Sequence, residues 1–193
     1  EALMARPEKA KHTSDEARQA AADTARHLLD IGAVNFKPED PYTFTSGRVS
    51  PSYIDCRRVI AFPEAREAMT AHAVALIDRE IGRDNIDVIA GGETAGIPYA
   101  AFVAVALGKP MVYVRKEPKG FGRMAQLEGA LEDNARVLLV EDLTTDGGSK
   151  VRFIDAIREA GATVDHTYVV FNYGIFMEAW DTMEKLGVGL HAL

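Results

Sequence analysis

The chain has 193 residues, 47% of them hydrophobic and 26% charged, which is the composition of a globular protein able to bury a core in about one domain. Its 22 Lys and Arg against 29 Asp and Glu leave a net charge of −7. That argues against broad nucleic-acid binding, though not against a small anion met by a local cluster of cations. The single cysteine, Cys56, excludes an internal disulfide framework and a cysteine-based zinc site, and points to a reducing, cytoplasmic setting.

Residues 1–12 are polar and basic without periodicity and read as a flexible tail; the charged stretch 1–16 carries no signal-peptide core. Thr13 and Glu16 have capping-box spacing, and Ala17, Ala21, Leu28 and Ile31 then recur at helical intervals up to Gly32. Two β-like pieces, residues 42–45 and 52–55, flank the turn-rich Ser46-Gly47-Arg48-Val49-Ser50-Pro51. From Pro63 the pattern changes. A helix over 63–80 is followed by a strand at 86–90, the glycine-rich loop 91–96, an apolar helix at 97–107 and a strand at 111–115. Residues 116–135 show no period. A third strand over 136–141, the loop 142–149, a helix over 150–160, a strand over 163–171 and a helix over 176–186 complete the pattern, and the sequence stops in what reads as another strand. Alternation of strands and helices predicts an α/β fold, a parallel sheet flanked by helices. The longest apolar stretch, Ile97 to Gly108, has 12 residues, against the roughly 20 of a membrane helix, so no membrane association is expected.

Ligands of such sheets bind beyond the carboxyl ends of the strands, which directs attention to two loops. Gly91-Gly92-Glu93-Thr94-Ala95-Gly96 is either an ordinary strand–helix turn or a place where backbone N–H groups converge on an anion. In Val137-Leu138-Leu139-Val140-Glu141-Asp142-Leu143-Thr144-Thr145-Asp146-Gly147-Gly148-Ser149, a hydrophobic strand runs into two carboxylates, then hydroxyls, glycines and a helix start. The second half suits a phosphate, and the carboxylates before it suit vicinal hydroxyls, so the whole reads as a site for ribose 5-phosphate. The alternative is that Glu141 and Asp142 cap a helix and face solvent.

This stretch resembles the PRPP-binding signature of type I phosphoribosyltransferases, where PRPP is 5-phosphoribosyl 1-pyrophosphate. The resemblance implies that Glu141 and Asp142 hold the ribose 2- and 3-hydroxyls, that Thr144, Thr145, Asp146, Gly147, Gly148 and Ser149 grip the 5-phosphate, and that Leu143 belongs to the PRPP site. Residues 91–96 then become the family's pyrophosphate loop. Three further segments resemble orotate phosphoribosyltransferases: Arg115-Lys116-Glu117-Pro118-Lys119-Gly120-Phe121-Gly122-Arg123, then Leu127-Glu128-Gly129, and upstream Ser46-Gly47-Arg48-Val49-Ser50-Pro51 with Tyr53. They imply one phosphoribosyltransferase domain over 13–193, with a hood at 13–58, an α/β core at 59–193 and a flexible lid at 116–135.

The implied reaction is orotate plus PRPP to orotidine 5′-monophosphate plus pyrophosphate, a step of pyrimidine and UMP biosynthesis. Lys119 and Asp142 are the implied catalytic residues, and Arg115, Lys116 and Lys119 bind PRPP. Mg²⁺ is the implied cofactor, carried mainly through PRPP. Tyr53, Thr145 and Arg48 are candidates for orotate. A cytoplasmic homodimer with its lid shared across the interface, and no nucleic-acid partner, completes the expectation. Lid cations suit the charge that builds on departing pyrophosphate. Two departures stand out: Phe121 replaces the usual lid His, and Phe171-Asn172-Tyr173-Gly174 replaces a segment where some members carry Asp-Arg. A phosphoribosyltransferase for another base and a non-catalytic PRPP-binding regulator are the rival readings. His12, His27, His72, His166 and His191 show no metal-ligand spacing and read as structural.

Overall fold

The computed structural model describes residues 14–44, 47–122, 124–175 and 177–193. The tail 1–12, the Thr13 cap, Thr45, Ser46, Arg123 and Phe176 lie outside the described residues. The chain divides into two compact units, residues 12–69 and residues 70–193, with the division inside one helix.

In the first unit, helix α1 spans Asp15–Asp30. Its N-cap is Ser14, whose hydroxyl accepts the Ala17 N–H at 3.1 Å, one residue later than the predicted capping box. This start leaves Asp15 and Glu16 in the first turn, beside the positive end of the helix dipole. Gly32, at φ +67°, turns the chain out of the helix. Strand β1 (Val34–Phe36), which the alternation did not reveal, pairs antiparallel with β4 (Ser52–Ile54). Between them β2 (Tyr42–Thr43) pairs with β3 (Val49–Ser50). The Tyr42 and Tyr53 rings lie 5.4 Å apart. Cys56 is fully buried at the head of a 3-10 turn over Cys56–Ala61, as a packing residue. Helix α2 runs Pro63–Glu80, as predicted.

The second unit holds the main sheet. Its strands are β5 (Val88–Gly92), β6 (Met111–Val114), β7 (Leu127–Glu128), β8 (Arg136–Thr144), β9 (Thr163–Asn172) and β10 (Gly189–Ala192), in spatial order β10-β9-β8-β5-β6-β7. All neighbours are parallel except β6 and β7. Helices α3 (Gly96–Leu107), α4 (Gly148–Glu159) and α5 (Met177–Lys185) make the crossovers. The central strands β5 and β8 are mostly apolar because both faces are covered. Val137, Leu139, Val112, Val114, Phe153, Ile154, Ile157 and Met183 share one core. At the amino ends of the central strands, Arg136 grips Asp87 with two nitrogens (2.9 and 2.7 Å) and reaches the Asp84 carbonyl. The pairing holds the Asp87 carboxyl well below the usual carboxylate range.

Three boundaries differ from expectation. Gly91 and Gly92 belong to β5 and Gly96 opens α3, so the predicted six-residue loop reduces to Glu93-Thr94-Ala95. Strand β8 continues through Asp142, Leu143 and Thr144, reducing the second loop to Thr145-Asp146-Gly147. Residues 116–135 are not without structure. Beyond β6–β7, Arg115 N–H bonds the Gln126 carbonyl and Lys119 N–H the Ala125 carbonyl, so the segment leaves and returns as an antiparallel ladder. Strand β7 has two residues, too few for a period to register.

Candidate active site

From β5 the chain passes through α3 to β6 on one side, then returns to β8 on the other side of β5. The order therefore reverses between β5 and β8, and a crevice opens where successive connections diverge. Both predicted loops lie at the carboxyl ends of these two strands.

Glu141 is buried, and its Oε1 accepts the Gly92 N–H at 2.9 Å. A Cβ on Gly92 would collide with Glu141 Oε1 and the Phe153 ring. One on Gly96 would meet Glu141 again and lie 2.7 Å from the Val140 carbonyl; one on Gly91 would lie 2.7 Å from the Gly96 carbonyl. None of these glycines has positive φ. Their small size lets β8, β5 and the start of α3 close around a carboxylate that belongs to the protein. One N–H of the glycine run read as a cradle for an anion, that of Gly92, thus goes to an internal carboxyl group. Between Gly92 and Gly96, Glu93 is half-buried, Thr94 exposed and Ala95 buried, and the Glu93–Thr94 peptide is cis.

Asp142, the next residue, is also buried, at the strand end where Thr144 is 2% exposed. Thr144 Oγ1 has no hydrogen-bond partner among the described residues. Leu143 and Thr145 are half-buried. Gly147, at φ +84°, makes the turn into α4, and Gly148 and Ser149 are exposed in its first turn. Here the positive end of the helix dipole favours an anion. Asp146 Oδ1 accepts the Gly148 N–H at 3.0 Å. The prediction that the carboxylates cap a helix in solvent fails for Glu141 and Asp142, which are buried in a strand; the capping acid is Asp146.

A residue that sequence reasoning missed lies directly behind this loop. Lys150 is 1% exposed, and its Nζ donates to the Leu143 carbonyl at 2.8 Å. Glu141, Asp142 and Asp146 all act on its ammonium, while burial pushes its pKa down. Burial pushes the Glu141 carboxyl up to about 7; the Lys150 charge opposes this, Asp142 adds to it, and the Gly92 N–H opposes it. The only available signal was a lysine directly after the hydroxyl and glycine run, and on a helix surface that is ordinarily solvated.

The predicted lid cations divide. Arg115 is half-buried and pairs with Glu128 at 3.4 Å; Lys116 and Lys119 are exposed. The Lys116 N–H donates to Glu93 Oε2 at 2.8 Å, which ties the lid root to the 93–95 loop. Phe121 is fully exposed at the tip between Gly120 and Gly122, both at positive φ. Arg48 and Tyr53 are half-buried in the first unit. Among the described residues no cluster of three or more His, Cys, Asp or Glu is arranged to hold a metal ion. His166 and His191 face each other at 3.1 Å, with His191 3.0 Å from Glu80, toward the amino ends of the strands.

Compared with known proteins, residues 63–186 match the family model of the phosphoribosyl transferase domain. The chain is 56% identical over 177 residues to an orotate phosphoribosyltransferase of Ruegeria sp. (strain TM1040), covering 92% of this chain and 78% of that protein. It is 54% identical over 178 residues to one from Roseobacter denitrificans, covering 92% and 79%. The crystal structure of orotate phosphoribosyltransferase from Aeropyrum pernix superposes with a TM-score of 0.73 at 28% identity, over 88% of this chain and 93% of that one. Identity of this level across nine-tenths of the sequence, on a sheet whose switch point carries the acidic pair, means that the chain belongs to the orotate phosphoribosyltransferase family.

Proposed function

We infer that the protein transfers the 5-phosphoribosyl group of PRPP to orotate, giving orotidine 5′-monophosphate and pyrophosphate, a step toward UMP. The observation that carries this reading is the meeting, at one topological switch point, of the Glu141–Asp142 pair with the amino end of α4. A sugar bearing hydroxyls and a phosphate presents the two complementary groups. Asp142 and Glu141 accept hydrogen bonds from the ribose 2- and 3-hydroxyls, and residues 143–149 surround the 5-phosphate.

In the reaction the C1–N1 bond to orotate forms as the C1–O bond to pyrophosphate breaks, and the proton on N1 of orotate is released to the departing pyrophosphate or to water. Charge accumulates on the leaving oxygens and an oxocarbenium-like sugar develops between them. Lys119, Arg115 and Lys116 meet the leaving charge, and the backbone of residues 91–96 lines the pyrophosphate side. Asp142 and Lys119 are the proposed catalytic residues, acting by electrostatics and orientation. No protein nucleophile takes part. For orotate, Tyr53, Arg48 and Thr145 are the proposed ligands, on the strength of the Ser-Gly-x-x-Ser-Pro resemblance.

Mg²⁺ is the proposed cofactor. It would be held by the oxygens of PRPP, with water completing its shell, which suits an ion that keeps waters and substrate phosphates more readily than an all-protein cage. Bound there, it supplies charge neutralisation of the diphosphate. We further propose a homodimer whose lid serves the partner's site, and a cytoplasmic setting. No helix among the described residues is long and apolar enough to cross a membrane.

The test is the fall in orotate absorbance with PRPP and Mg²⁺, run beside uracil and adenine. Turnover of orotate alone is expected. Turnover of another base instead, or PRPP binding without turnover of any base, would overturn the assignment and favour the corresponding rival.

A further inference from the structure

We propose that Lys150 is a positioning residue of the ribose site: its buried ammonium, fixed on the Leu143 carbonyl, holds Glu141 in the anionic form that grips the sugar. This rests on the reading of the carboxylate pair as the ribose site.

A fully buried lysine is rare unless charges surround it. Lys150 sits in the first turn of α4, where a cation is unfavourable because the helix dipole already places positive charge there. Its backbone N–H bonds the Gly147 carbonyl, so its own position is fixed by the phosphate turn. The side chain then runs back beneath that turn to Leu143, the residue after the acidic pair. One residue thereby spans both halves of the site. The charged groups facing it are Glu141 and Asp142 from β8 and Asp146 from the turn. Those facing Glu141 are Lys150 and Asp142, with the Gly92 N–H from β5; Gly96 of α3 and Phe153 of α4 close the remaining sides without charge.

Without the ammonium, the buried Glu141 carboxylate would have no cation to offset its burial and the nearby Asp142 charge, and it would hold its proton to higher pH. A protonated carboxyl is a poorer acceptor for a ribose hydroxyl. The lysine's contribution is therefore to widen, on the acid side, the pH range over which the site accepts PRPP.

The experiment measures PRPP affinity by calorimetry with Mg²⁺, and kcat/KM for PRPP, from pH 6 to pH 9.5, in wild type, Lys150→Met and the double variant Glu141→Gln/Lys150→Met. The phosphates of PRPP titrate identically in all three, so differences report protein groups. Wild type should show an acid limb with a midpoint near pH 7. In Lys150→Met that limb should move up by about one unit, which lowers affinity about fivefold at pH 7 and converges on wild type at the alkaline end. The double variant should lose the limb, because no carboxylate at position 141 remains to titrate.

A Lys150→Met variant that binds PRPP more weakly by the same factor at every pH, or that tracks wild type throughout, overturns the proposal. If Lys150→Met does not fold, the double variant decides. Folding restored with a flat profile supports the charge couple; failure of both, or an unchanged limb, makes Lys150 a packing residue. If wild type itself neither binds PRPP nor consumes orotate, the ribose-site reading falls instead.

Discussion

Gly96→Ala is the sharpest perturbation of the closure around Glu141. A methyl group there would occupy the space of Glu141 Oε1 and approach the Val140 carbonyl to 2.7 Å. The carboxylate can swing, but the carbonyl is part of the β8 ladder and cannot. Overpacking of this kind costs about 1–3 kcal/mol. Displacing Glu141 also breaks its charge-assisted bond to the Gly92 N–H, about 1.5–3 kcal/mol more. Alanine's better helix propensity offsets up to about 1 kcal/mol. The net loss of about 1.5–6 kcal/mol corresponds to a fall in Tm of about 3–24 °C in a chain of this size. Thermal unfolding followed by circular dichroism measures it. Gly148→Ala is the control, because its Cβ would meet only Asp146, at 3.5 Å, an ordinary contact. That variant should unfold within about 2 °C of wild type. If Gly96→Ala unfolds as late as the control, the glycines are not required by the internal carboxylate, and the account of the 91–96 segment is wrong.

The raised Glu141 carboxyl predicts a pH dependence of stability in the protein without substrate. Its folded value lies above the unfolded one, so the native state binds more protons between about pH 4.5 and 7; stability falls as pH rises through that window, by about 3 kcal/mol, and Glu141→Gln should remove this slope in urea titrations. Gly147→Val puts a β-branched residue at φ +84°; it should abolish the rise in Tm that PRPP gives wild type while the protein still folds, and an undiminished rise would place the phosphate elsewhere. If the cations at 115, 116 and 119 meet the leaving charge as proposed, Phe121→His should change kcat by less than tenfold; a larger gain, above about 1.4 kcal/mol in the barrier, would show that the missing imidazole matters. Lys119→Ala and Asp142→Ala homodimers should each be nearly inactive, and their refolded equal mixture should regain roughly a quarter of wild-type activity if the lid is shared. Mixed dimers that form and stay inactive would confine each lid to its own subunit.

The alternation of apolar strands and helices after Pro63 was readable because the central strands β5 and β8 are buried on both faces along most of their length and the helices are long enough to show their period. Helix α2 matches its predicted span, and β8 was recognised from its apolar run although not to its full length. Strands β1 and β7 were not readable. Each has three residues or fewer, and each exists through its partner, β4 or β6, rather than through its own pattern. The acidic pair and the hydroxyl and glycine run were recognisable as chemistry, whereas their inward orientation was not. Sequence spacing says that Glu141 and Asp142 are adjacent. That Gly92 and Gly96 leave a notch for the first of them depends on contacts across the sheet. Lys150 escaped notice for the same reason: its burial is set by β8 and the turn before α4, not by its own helix.

Asp146 carries a consequence for selectivity. Its carboxylate already occupies the Gly148 N–H, one of the donors that an arriving phosphate monoester would use. The protein is its own competitive occupant at this position. A ligand that offers only a weak, singly charged anion exchanges one hydrogen bond for another and gains little. If the 5-phosphate docks here as proposed, a dianionic phosphate on a sugar whose hydroxyls bond β8 would gain more from displacing the carboxylate than a lone small anion would, and the turn itself would discriminate between them before any base entered.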